Sequence, residues 1–126
     1  MSATHRILLS AGALALLLAT GLGAYGAHGL QGMPANVVSA YQTAVEYQFY
    51  HGLGVIVATL AALRFAQSRW IGAAPWLLLA GILFFCGSIF ATTFGAPQSL
   101  GGLAPVGGIS FMLGWASLAV GFLTVR

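Results

Sequence analysis

Apolar residues fill four long blocks of this chain, at about 7–27, 44–63, 72–94 and 106–125, and the stretches between them are short. Each block is near the roughly 20 residues that a helix needs to cross a bilayer. HGLQGMPANVVSAYQ separates the first two blocks, RFAQSRW the second and third, and GAPQSLGGLAP the last two. The first and last of these stretches are rich in Gly, Pro, Asn and Ser, which break helices and make turns. Pro34 suits the first turn of a helix, so the second span is expected to begin early and extend above the membrane. The pattern predicts an all-α fold in one domain, 1–126: an integral-membrane, antiparallel bundle of four transmembrane helices.

Small residues recur inside the blocks. Span 1 places Ala11, Ala15, Ala19, Gly23 and Ala27 at every fourth position. Span 2 has Gly54, Ala58 and Ala62, span 3 has Gly87, Ala91 and Gly95, and span 4 has Gly108, Ser117 and Gly121. Such ridges let helix backbones approach closely in lipid. Ala15, Ala19, Gly23, Gly54, Ala58, Gly87 and Gly108 are therefore expected at helix contacts. The ridges also permit a homo-oligomer without requiring one.

Composition and charge sharpen the picture. The chain is 60% hydrophobic and 4% charged, against roughly 25% charged in a soluble domain. Its solvent is expected to be the lipid bilayer. The four cations are Arg6, Arg64, Arg69 and Arg126, and in a four-span chain all four lie on one side. The positive-inside rule then puts both termini in the cytoplasm of a bacterium, with the bundle in its inner (plasma) membrane. Trp70 and Trp76 fall near the inner boundary as anchors. The basic start and apolar run of span 1 imitate a signal peptide, but the run is long for one, so span 1 is expected to be retained. A scattered charge of +3 leaves no nucleic-acid footprint. One cysteine, Cys86, without zinc or CxxC spacing, predicts a buried packing thiol and no metal.

The candidate chemistry lies in YQTAVEYQFYHGLG, residues 41–54, which holds the only acidic residue, Glu46. On a helical projection Gln42, Thr43, Glu46, Tyr47, Tyr50, His51, Gly54 and Ala58 share one broad arc, which is expected to face protein. Val45, Phe49, Leu53, Ile56, Leu60 and Leu63 take the other arc, toward lipid. Glu46 lies 18 residues before Arg64, about 27 Å along a helix axis, hence just inside the outer boundary. His28, Thr92, Thr93, Pro105, Gly107 and Gly108 reach the same depth. The expected polar layer comprises His28, Gln42, Glu46, Tyr50, His51 and Ser88, with His28 the better placed cationic partner for Glu46.

GAYGAHGL (23–30), the 41–54 stretch, GSIF (87–90) and PVGGISFMLGW (105–115) together resemble the YgdD-like family of small four-helix inner-membrane proteins. The resemblance runs through nearly the whole chain. It implies a four-span membrane protein and no particular reaction. Its motif residues here are His28, Glu46, His51, Ser88, Pro105 and Gly108. Phe90 stands where the family pattern has Tyr, so a hydroxyl is missing at that position.

Four functional readings follow. A structural or interaction protein would use the Glu/His layer as a clasp or a partner contact, because polar groups join helices in membranes. The alternative is a small transporter or small-ligand binder with Glu46 as its ionisable site. The small multidrug exporters resemble the chain in size and span count, but their key carboxylate lies in the first helix. A haem or metal site on His28 and His51 has only two ligands to offer, so no cofactor is expected. An enzyme is least favoured, since the chain has neither GxSxG nor any Asp.

Overall fold

The computed structural model describes residues 1–126 as four helical rods. Helix α1 runs Ala3–Gly29 and α2 runs Ala35–Arg64. The third rod is α3, Arg69–Gly81, then a wide π turn, Ile82–Cys86, then α4, Gly87–Thr93. A short 3-10 turn, Gln98–Gly102, leads into α5, Leu103–Thr124. Three of the rods are long and apolar enough to cross a membrane: Ala3–Gly29, Arg69–Thr93 and Gln98–Thr124. The rod absent from that set is α2, which is the longest helix but carries Gln42, Glu46, Gln48 and His51.

Local chemistry sets the ends. Ser2 and Ser68 cap α1 and α3 by accepting from the backbone N–H of His5 and Ile71. Pro34 immediately precedes α2, so the helix does begin well before residue 44. The third rod stops at Gly95, whose φ of 104° only glycine adopts readily. There Ala96 N–H reaches Ala91 O and Gly95 N–H reaches Thr92 O, the paired bonds of a Schellman cap.

The rods alternate in direction. Gly12 of α1 lies against Ile56 of α2, Gly54 of α2 against Leu78 of α3, and Gly114 of α5 against Leu78. The closest seam is between the third and fourth rods. Gly107, Gly114 and Gly121 of α5 sit against Phe85, Leu78 and Ile71, so both partners step by seven residues in opposite directions. A Cβ on Gly107 would run into the backbone N of Phe85. Ser110 Oγ donates to Leu77 O and Ser117 Oγ to Trp70 O, both at 2.6 Å and again seven residues apart. A seven-residue repeat keeps one seam in register along both helices.

Elsewhere the core is small: Ala44, Val55, Ala58, Ala74 and Cys86 are buried between α2 and the third rod. Ala15 and Ala19 are buried on α1, Gly23 meets Val45, and Gly54 meets Trp115 and Leu78. Two glycines expected at helix contacts are not there. Gly87 is exposed, because the π turn rotates the following residues, and a Cβ on Gly108 would touch nothing; its neighbour Gly107 makes the contact.

The rotation of α2 also differs from the polar-arc expectation. Its buried positions run Ala44, Gln48, His51, Val55, Ala58 and Ala62, while Gln42, Glu46, Tyr47 and Tyr50 are exposed and Val45 is buried. Close approach decided the rotation. Ala44, Gly52, Ala58 and Ala62 let neighbouring helices in. Turning Glu46 inward would have displaced the small-residue face.

Candidate functional site

The polar residues of 41–54 divide between two faces of α2. Gln42 and Glu46 border a shallow groove of about 330 Å³ between α1 and α2, floored by Gly23, Gly26 and Val45. Glu46 has no side-chain partner in the chain, and His28 stands exposed at the end of α1 without bonding to it. The expected clasp between them is not formed. Ser88 is buried and donates to Phe85 O at 3.0 Å, closing the end of the π turn.

Tyr50 and His51 reach a different place, a cleft of about 680 Å³ between α2 and α5. Tyr47 and His51, one turn apart on α2, face Phe111 and Trp115, one turn apart on α5, and Phe85 comes from the π turn. Wide turns of this kind occur often at functional sites. Here the turn carries Phe85 to the cleft, while Cys86 Sγ donates to Ala44 O at 3.3 Å and ties the turn to α2. Gly107 lets the Phe85 backbone approach, and Gly108 beside it leaves the room that becomes the cleft.

His51 is 7% exposed. Its ring stacks on Phe111, with centroids 3.5 Å apart and planes 14° from parallel. Nδ1 lies 2.6 Å from Tyr47 O. A carbonyl only accepts, so Nδ1 carries the proton of the neutral ring and Nε2 carries a lone pair. No buried side-chain nitrogen or oxygen is both sealed from solvent and unpartnered. Nε2 makes no bond in the chain, so it is open toward the cleft. Tyr47 stacks on Phe85 at 5.0 Å, which completes an aromatic wall beside His51 Nε2.

Thr59, fully buried, donates to Val55 O within α2, but other buried polar groups join helices. Gln48 Nε2 donates to Ala15 O at 2.8 Å, and Tyr41 Oη donates to Leu22 O, so both tie α2 to α1. Gln48, Phe85, Phe111 and Trp115 were outside the expected site. The pairs Tyr47/His51 and Phe111/Trp115, each at i, i+4, were the signal for an aromatic cleft. No group of three or more His, Cys, Asp or Glu comes together in a way that could hold a metal.

A family profile described as "Protein of unknown function (DUF423)" matches residues 22–108. That stretch holds α2, the third rod, and Pro105 to Gly108 at the cleft. The chain belongs to the DUF423 family. Full-length relatives agree. It is 36% identical over 118 residues to a UPF0382 membrane protein of Staphylococcus saprophyticus, covering 92% of this chain and 96% of that one. It is 36% identical over 116 residues to UPF0382 membrane protein YwdK of Bacillus subtilis, covering 91% and 94%. A UPF0382 membrane protein of Haemophilus influenzae is 38% identical over 110 residues, covering 86% and 87%. No solved structure matches the chain. DUF423 proteins are thus membrane proteins of uncharacterised role, as the apolar pattern requires; the name YgdD-like is carried by the resemblance alone.

Proposed function

We propose that this DUF423 protein is a four-span protein of the bacterial inner membrane, with both termini cytoplasmic, that serves a structural or interaction role and catalyses no reaction. The observation that carries the role is the use of its buried polar side chains. Gln48, Cys86, Ser110 and Ser117 each spend their donor on a carbonyl of a neighbouring helix. These are bonds that hold a bundle together, the commonest use of polar groups between helices in lipid. Glu46, in contrast, faces outward beside Gln42 without an internal partner, which supports contact with a second copy of the chain. About a two-fold axis along the membrane normal, each Glu46 carboxylate would meet a Gln42 amide of the other copy.

The topology rests on the antiparallel packing. Arg64 and Arg69 flank one short turn, Arg126 shares a surface groove with Arg69, and α1 runs back beside α2 so that Arg6 falls at the same end. A crossing α2 joins the far end of α1 to the start of the third rod through tight turns at 30–34 and 65–68. A single cysteine at Gln31 or Gln67, with Cys86→Ser to remove background, tests it. An impermeant maleimide should label position 31 in intact cells and position 67 only after permeabilisation. Labelling of both from the same side would remove the fourth span. Oxidative cross-linking then tests the contact: Glu46→Cys should give a disulfide-linked dimer in membranes and Met112→Cys should not. Absence of the dimer at position 46 overturns the second-copy contact.

A further inference from the structure

Of the polar side-chain atoms in the cleft that nothing in the chain uses, His51 Nε2 is the one on a buried residue; the hydroxyls of Tyr47 and Tyr50 are also unbonded but belong to exposed residues. His51 Nε2 is an acceptor, so a ligand that engages it must bring a hydrogen-bond donor. The ring that holds it is fixed by Tyr47 O on one side and stacked on Phe111 on the other. Glu46 lies on the opposite face of α2 and every arginine lies at the far end of the bundle, so no charge in the cleft would compensate a charged ligand. The mouth is formed by Tyr50, Ile109 and Met112, all exposed on the outer surface of the bundle.

Depth adds a further restriction. His51 lies 13 residues before Arg64, about 20 Å along the axis and within the hydrocarbon layer of about 30 Å. This placement rests on α2 crossing the membrane, which the labelling of positions 31 and 67 decides separately. A ligand that enters from there must be neutral and soluble in lipid. The walls are aromatic, and aromatic rings pair best with the face or edge of another flat ring.

We propose that this cleft binds a lipid-soluble phenol or quinol: a flat ring whose hydroxyl donates to His51 Nε2, with an alkyl tail leaving past Met112 into the bilayer. The volume, about 680 Å³, is that of an ordinary small-molecule site and holds a ring with the first part of a tail. No covalent or redox step is implied; the chain contributes a binding site only.

The test uses the full chain in nanodiscs and a para-alkylphenol with a diazirine in its tail. Photolabel should map to 47–51 and 105–115. Three competitors separate the parts of the proposal: para-heptylphenol, its methyl ether, and para-heptylcyclohexanol. Loss of the donor in the ether should weaken competition about tenfold, the scale of one good hydrogen bond. The cyclohexanol keeps the hydroxyl and loses the flat ring, and it too should compete less well than the phenol. An alkylhydroquinone that competes better than the phenol assigns the site to quinols; one that competes equally assigns it to phenols in general. His51→Phe should remove the preference for phenol over ether. Should that variant not fold, Met112→Trp at the mouth, where Met112 is 72% exposed, should reduce labelling to background. Equal competition by phenol and ether in the wild type, label elsewhere in the chain, or unchanged labelling of Met112→Trp overturns the proposal.

Discussion

The two ends of the sequence pack by different rules. The seam between the third rod and α5 is periodic: three glycines meet three large side chains, two serines meet two carbonyls, and every step is seven residues. The half of the α1/α2 pair next to the 30–34 turn has no such repeat. There Gln48 and Tyr41 make single bonds to α1, Glu46 and Gln42 face outward, and His28 stands free. The first region is built for close approach and spends Ser110 and Ser117 on carbonyls across it. The second leaves its only carboxylate unused by the chain. Stability should therefore be concentrated in the seam, and recognition outside it.

The sharpest way to break that comparison uses two adjacent glycines. A Cβ at Gly107 meets the Phe85 backbone, which cannot swing aside as a side chain would. Gly107→Ala should cost about 1–3 kcal/mol, the usual range for overpacking. Gly108→Ala meets open space and should be neutral or stabilising by up to about 1 kcal/mol, because alanine is the better helix former. Unfolding in a mixed detergent titration measures both. Equal effects would mean that the seam has no special standing.

Gln48→Leu should come next. It removes the bond to Ala15 O at the centre of the α1/α2 contact. Side-chain hydrogen bonds between membrane helices average about 0.6 kcal/mol and reach about 1.7, and a buried amide held by one good bond belongs near the upper value. Ser117→Ala removes a bond to Trp70 O but leaves the surrounding glycine seam in place. A loss of about 0.6 kcal/mol is expected from the same scale. A larger loss for Ser117 than for Gln48 would shift the weight of the polar bonds to the seam as well.

How much of this was legible follows the same division. Apolar block length, turn composition and Arg placement are properties of the chain alone, so the rods and their order could be read directly. The small faces of α1 and α2 could be read too, since close packing in lipid needs small residues wherever helices cross. The rotation of α2 could not. Polarity pointed Glu46 inward, but the small residues of α2, Ala44, Gly52, Ala58 and Ala62, took the packed face. The wide turn at Ile82–Cys86 has no marker in its own residues, ILFFC, and it moved Gly87 off the contact. The choice between Gly107 and Gly108 depended on that turn. His51 was legible as a polar residue on a span, but its stacking on Phe111 needed the rotation first.

Glu46→Gln should have the smallest effect on the isolated chain. The carboxylate is exposed and makes no bond that the amide would lose, so a change within about 0.5 kcal/mol is expected. A burial-based reading of residues 41–54 demands the opposite, a loss larger than that of any surface arginine substitution. The experiment sharpens further when protein concentration is varied. If Glu46 meets a second copy, the wild type should melt higher as the protein-to-detergent ratio rises, because association stabilises by mass action. Glu46→Leu should then flatten that dependence while leaving the dilute melting point in place. A melting point that falls for Glu46→Gln even at high dilution would place a partner for the carboxylate inside the single chain, and the distinction between a structural seam and an idle α1/α2 end would not survive it.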